Sequence, residues 1–120
     1  QKQIGDLKET MMKLSNEIAI FVPSTIGLAP ANQELVASVV DQALIELSAI
    51  NGGATATAGV GAWVASDGTL IKETVTIVSS NCAEVTMQTL RTLAKLRRLV
   101  RQTMQQEAVT VKVNGTLYIR

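Results

Sequence analysis

Two stretches of apolar side chains recur at a period near 3.6 residues, and each lies between segments whose apolar residues alternate at period two. This alternation of helix-like and strand-like patterning constrains the fold more than any other feature of the chain. A helix with one apolar face needs a second layer to bury it, and a half-buried sheet supplies that layer.

In the first helical stretch Leu35, Val36, Val39, Val40, Ala43, Leu44 and Leu47 share one broad face. Asn32 is suited to cap its start, and Asn51-Gly52-Gly53 ends it. The second is expected over about Ala83 to Glu107, with Leu90, Leu93, Leu96, Val100 and Met104 as its stripe and Asn81 with Glu84 as a capping box. Ile18, Ile20 and Val22 alternate with Ala19 and Phe21 in a strand that Pro23 ends, and residues 23–31 read as a loop. Ala54 to Ala65 and Leu70 to Ser79 form strands about an Asp67-Gly68 turn, and Ala108 to Val113 and Thr116 to Arg120 form strands about Asn114-Gly115.

The order is βαββαβ plus one strand, which predicts an α+β, ferredoxin-like sandwich with an extra C-terminal strand. Residues 1–15 read as an N-terminal helix, with Ile4, Leu7, Met11 and Leu14 at heptad spacing. Two turns of apolar stripe do not hold a helix alone, so this one is expected to pack on the domain or to oligomerise. The expected organisation is that helix followed by one domain over residues 16–120.

Period two assigns faces to the strands. Ile18, Ile20 and Val22, then Val60, Ala62 and Val64, then Ile71, Val75 and Ile77, and finally Val109, Val111, Val113, Leu117 and Ile119 are expected to face the helices. The opposite face then receives Phe21, Trp63 and Tyr118, all three aromatic residues of the chain, with Lys72, Lys112 and Arg120 among them. This face reads either as a base-stacking platform or as an interface covered by the N-terminal helix or a second subunit. Glu73 falls on the helix side in this scheme, where Arg97 or Arg101 is its natural partner.

The chain contains no histidine and one cysteine, Cys82. These counts exclude an intramolecular disulfide and any histidine-based triad, and they remove the commonest zinc ligand. Neither a metal nor a cofactor is expected, and with no recognisable catalytic constellation the residues point to a non-enzyme. The longest apolar run, Ile18 to Val22, is too short to span a bilayer, so a cytoplasmic protein without membrane contact is expected.

The segment from Asn51 to Trp63 is rich in glycine and small residues, but it lacks both the Walker and the dinucleotide patterns. Arg91, Lys95, Arg97, Arg98 and Arg101 make one helix basic, while Glu34, Asp41 and Glu46 make the other acidic. The basic helix either complements the acidic one or offers a phosphate- or nucleic-acid-binding patch.

The run Gly52-Gly53-Ala54-Thr55-Ala56, then Gly61-Ala62-Trp63, Asp67-Gly68 and Glu73-Thr74-Val75-Thr76-Ile77-Val78 resembles a group of small uncharacterised bacterial and phage proteins. Gln106-Glu107-Ala108-Val109, Val113-Asn114-Gly115 and Tyr118 continue the likeness, which runs from about Ile18 to Ile119. The resemblance implies a ferredoxin-like fold and groups Gly52, Gly53, Trp63, Glu73 and Gln106, but it transfers no activity.

Together these features lead us to expect a non-enzymatic, homo-oligomeric binding protein, phage or mobile-element encoded and working in the cytoplasm of a bacterial host. Its ligand would be a small anion such as a nucleotide signal, sequestered from host defence. Trp63 would stack on a ring, Gly52, Gly53, Arg97 and Arg101 would meet phosphates, Glu73 would orient an arginine, and Gln106 would join them. Two alternatives stay open: a single-stranded nucleic-acid binder using Phe21, Trp63, Tyr118, Lys72, Lys112 and Arg120, and a purely structural protein.

Overall fold

The computed structural model describes residues 11–120. Most of the expected leading helix lies outside them, and its described remainder, residues 11–15, is exposed and non-helical. The elements that follow are β1 (Asn16–Pro23), β2 (Thr25–Ile26), β3 (Ala29–Pro30), α1 (Gln33–Asn51), β4 (Thr55–Val64), β5 (Leu70–Cys82), α2 (Met87–Thr103), β6 (Thr110–Val113) and β7 (Thr116–Ile119).

Five strands form one antiparallel sheet in the order β4-β5-β1-β6-β7. β5 is inserted between β1 and β4, and β6 flanks β1 on its other side. This is the ferredoxin-like split βαβ arrangement with β7 added at one edge. The segment expected as a loop holds a two-strand ribbon of β2 and β3, turned by Gly27 at φ +59°.

Local chemistry sets the helix ends. The Asn32 side chain accepts the Glu34 amide at 2.7 Å at the start of α1, and Gly52 closes that helix at φ +88°. The start of α2 differs from expectation. Asn81 pairs with Glu17 inside β5, so it cannot cap, and Thr86 caps instead through a reciprocal box with Thr89. The helix ends at Thr103, short of Glu107, and Gln105 at φ +51° turns the chain into the last hairpin. Asn114 and Gly115, both at positive φ, make the tight turn between β6 and β7.

The core lies between the sheet and the two helices. Ile18, Ile20 and Val22 of β1 are wholly buried beneath Val39, Ala43 and Leu47 of α1 and Leu93, Leu96 and Val100 of α2. Val78, Met104, Val109 and Val111 complete it.

The register overturns part of the face assignment. Residues opposite one another in antiparallel strands share a face. Val78 opposes Ile20, so the even-numbered residues of β5 face the helices, and Ile71, Glu73, Val75 and Ile77 face away. Val111 opposes Tyr118, which brings Tyr118 to the helix side and sends Leu117 and Ile119 to the open face. The physical reason is that both faces of the sheet carry apolar residues, so alternation alone cannot say which one the helices cover.

The β4–β5 hairpin outruns the helices. Val60, Val64 and Leu70 lie on the helix side of the sheet by register, yet they are 72%, 67% and 53% exposed. The hairpin is therefore an arm with apolar side chains on both faces.

Replacing Leu96, wholly buried against β1, by alanine should cost about 2–5 kcal/mol of stability. Thr86→Ala, which removes the side-chain half of the α2 cap and keeps the Thr86 amide that donates to Thr89 Oγ1, should cost about 1 kcal/mol. Urea unfolding of both variants beside the parent tests this ordering, and equal losses would contradict it.

Candidate functional site

On the open face, β1, β4 and β5 meet the segment that follows α2 in a cleft of about 330 Å³. Phe21, Val75 and Ile77 line its apolar floor, while Trp63, Glu73 and Gln106 bring it an aromatic ring, a carboxylate and an amide. Three of the residues singled out from the sequence therefore share one cavity, although they are spread over 44 positions of the chain.

Each arrives there for a local reason. Trp63 opposes Ile71, and Glu73 opposes Gly61, so ring and carboxylate lie on the same face of neighbouring strands. Gly59 and Gly61 share that face, and their missing side chains leave space beside Val75 and Glu73. In the sequence these two glycines stand out only as members of a segment rich in glycine and small residues. The available signal was their parity with Trp63 in a strand.

Gln106 is tied into the frame. Its Nε2 donates to the main-chain oxygens of Met104 at 2.9 Å and Thr25 at 3.1 Å, fastening the β2–β3 ribbon to the end of α2. The Gly27 amide donates to the Met104 oxygen at 2.9 Å in the same junction. Gln106 thus builds one wall of the cleft, and among the described residues its side-chain oxygen accepts no hydrogen bond.

The other expected ligand residues lie elsewhere. Gly52 and Gly53 are at the far end of β4, and eight residues of strand separate Thr55 from Trp63, about 26 Å. The Gly53 carbonyl accepts the Ser80 hydroxyl, and Ser80 in turn accepts Asn51 Nδ2 at 3.0 Å. These glycines close a helix and start a strand, and they do not reach the cleft. Arg97 and Arg101 are on α2, across the sheet from Glu73, so the expected Glu73–arginine pair does not form. The two helices do complement each other at one point, where Lys95 pairs with Glu46.

The expected six-residue platform is also divided. Phe21, Trp63 and Lys112 are on the open face. Lys72, Tyr118 and Arg120 are on the helix side, because β5 and β7 present the opposite parity from the one expected. The aromatic side chains therefore do not form a single stacking surface.

The electrostatics of the cleft are simple. Among the described residues Glu73 is the one ionisable side chain lining it, with no lysine or arginine. The phosphate contacts expected of an anionic ligand are not available there. Cys82 is buried outside the cleft, and burial pushes its thiol above the ordinary range, which disfavours the nucleophilic thiolate. At the arm's tip Thr69, by its side chain and its backbone N–H, holds the Asp67 carboxyl below its usual value. Among the described residues no group of three acidic, cysteine or histidine side chains could hold a metal, and no helix is long and apolar enough to cross a membrane.

No family profile matches the chain, and no curated protein matches it. Solved structures do. A phage SAM lyase in complex with S-methyl-5'-thioadenosine superposes with a TM-score of 0.64 at 20% identity, over 92% of this chain and 94% of that one. A phage SAM lyase in its apo state gives 0.59 at 18% identity over the same shares. CutA from Synechococcus elongatus gives 0.45 at 14% identity, over 89% of this chain and 81% of that one. The two lyase likenesses establish the shared fold. They also correct the expectation of a non-enzyme: a lyase is built on this fold at this size, so the lack of histidine and of a recognisable constellation does not exclude catalysis.

Gln106→Ala should loosen the junction between the β2–β3 ribbon and α2. Hydrogen exchange at the Gly27 amide should quicken at least about tenfold, the effect of roughly 1.4 kcal/mol of lost local stability. Unchanged Gly27 protection would refute the structural part of its role.

Proposed function

We propose that this chain is an enzyme of sulfonium chemistry, which binds S-adenosylmethionine in the open-face cleft and releases S-methyl-5'-thioadenosine. The observation that carries the reading is the composition of the cleft: the rings of Trp63 and Phe21, one carboxylate and, among the described residues, no basic side chain. That set suits a nucleoside bearing positive charge and does not suit a nucleotide bearing phosphates. The fold shared with phage SAM lyase supports the same reading.

In this reading Trp63 stacks on the adenine ring, a contact worth about 1–3 kcal/mol where bases stack on aromatic side chains. Gln106 offers its side-chain oxygen to a polar edge of the nucleoside. Glu73 holds the α-ammonium of the aminoacyl chain. A carboxylate placed against the sulfur instead would stabilise the substrate charge and lose that contact as the charge disappears, which opposes catalysis. The substrate's own carboxylate oxygen bonds to the carbon that carries sulfur and closes a lactone, while the carbon–sulfur electron pair goes to sulfur and leaves the neutral thioether. The apolar floor of Phe21, Val75 and Ile77 favours this step, because it solvates the sulfonium poorly and the thioether well.

The working form is a homo-oligomer. The exposed apolar arm of one copy, with Val60, Val64 and Leu70, packs against another copy and shields the cleft from water.

Titration calorimetry with S-methyl-5'-thioadenosine, and chromatography of S-adenosylmethionine incubated with the protein, test the reading. Trp63→Ala should weaken both ligands about tenfold or more, by the stacking contribution above. Glu73→Gln should weaken S-adenosylmethionine and spare the neutral thioether. Gly61→Val, whose Cβ meets only the Glu73 main-chain oxygen at 3.9 Å, should fold and block the cleft. A parent protein that binds neither ligand and forms no thioether would end the proposal. Val64→Glu should shift the parent oligomer towards monomer in light scattering, and an unchanged mass would remove the arm from the interface.

A further inference from the structure

Across the sheet from the cleft, between α2 and the β6–β7 hairpin, lies an open groove of about 520 Å³. Its walls are apolar, with Leu90 and Ala94 from α2, Val113 from β6 and the ring of Tyr118 from β7. Leu90 and Tyr118 are 41% and 56% exposed, so the described chain leaves this apolar surface uncovered.

The charge in the groove has one sign and one place. Arg97 and Arg120 line it, and among the described residues no aspartate or glutamate side chain does. Arg97 Nη1 donates to the main-chain oxygen of Arg120 at 3.1 Å, which holds its guanidinium over β7 beside the Arg120 backbone. Among the described residues the ion pair is Lys95 with Glu46, and neither guanidinium takes part in it. Leu90 precedes Arg97 by seven residues of helix, so an apolar stretch of about 10 Å leads up to the charged end.

We propose that this groove binds an amphipathic organic anion: a single carboxylate head with an unbranched apolar tail. The guanidinium fork of Arg97 would take the head through paired N–H donors. The tail would lie along Ala94 and Leu90 against Val113 and the Tyr118 ring, leaving water as it does so. Ala94 is the position that makes room for it, since a larger side chain there would fill the groove. The volume falls within the range of small-molecule sites, and an apolar lining with few placed polar groups is their usual character. This inference is independent of the sulfonium reading, because the two cavities lie on opposite faces of the sheet.

Decanoate is the test ligand, and decanol is its neutral control. Amide resonances of the ¹⁵N-labelled full chain are followed during titration. Saturable shifts are expected at Leu90, Ala94 and Val113, with the Trp63 indole resonance on the opposite face unmoved. Decanol should bind at least about tenfold more weakly than decanoate, as expected for loss of a charge-assisted pair. The double variant Arg97→Gln, Arg120→Gln should weaken decanoate by a similar factor and leave decanol unchanged. Ala94→Trp should abolish both, and circular dichroism confirms that each variant is folded. If Ala94→Trp does not fold, the arginine variant decides the question. Equal affinity for acid and alcohol, shifts centred on Trp63, or affinity unaffected by the arginine substitutions would overturn the proposal.

Discussion

Ile18, Ile20 and Val22 are removed from water by everything around them, and the rest of the molecule is arranged to keep them so. β1 is flanked by β5 and β6, and both helices close over its apolar face. Burial of this strand sets the sheet register, because a slip of one residue would turn its apolar set towards solvent and present Ala19 and Phe21 to the helices. The register then decides the face of every residue on β4, β5, β6 and β7. The place of the cleft is thus a consequence of the core.

The open face follows from the same constraint. β5 is 13 residues long, and the helices cover only the part of it nearest β1. Its remainder pairs with β4 as an arm whose two faces are both apolar. A cleft here has an apolar floor by necessity. What distinguishes it is the placement of Trp63 and Glu73 on neighbouring strands with glycines beside them. The small residues of β4, which look like mere packing in the sequence, are what leave the cleft open.

Much of the fold was legible because it rests on local chemistry. Asn32 and Gly52 bound one helix, Asn114-Gly115 turns the last hairpin, and the order of periodicities yields the split βαβ motif. The start of α2 was not legible. Asn81 and Glu84 have the spacing of a capping box, yet strand pairing with Glu17 claims Asn81, and Thr86 and Thr89 cap the helix from a few residues further on. The grouping of Trp63, Glu73 and Gln106 could be glimpsed in the sequence. Their separation from Gly52, Gly53, Arg97 and Arg101 could not, because it depends on which end of β4 and which side of the sheet each one occupies.

The sequence by itself determined the two main helices, the five sheet strands, their order and the chemical inventory: no histidine, one cysteine, three aromatic residues and two helices of opposite charge. Those properties follow from residue type and short-range spacing. Only the tertiary structure decided that Glu73 faces away from the helices and that Tyr118 faces towards them. Period two divides a strand into two faces but does not say which face a partner will cover. Where both faces are apolar, that choice belongs to the pairing of Ile20 with Val78 and of Val111 with Tyr118 across the sheet.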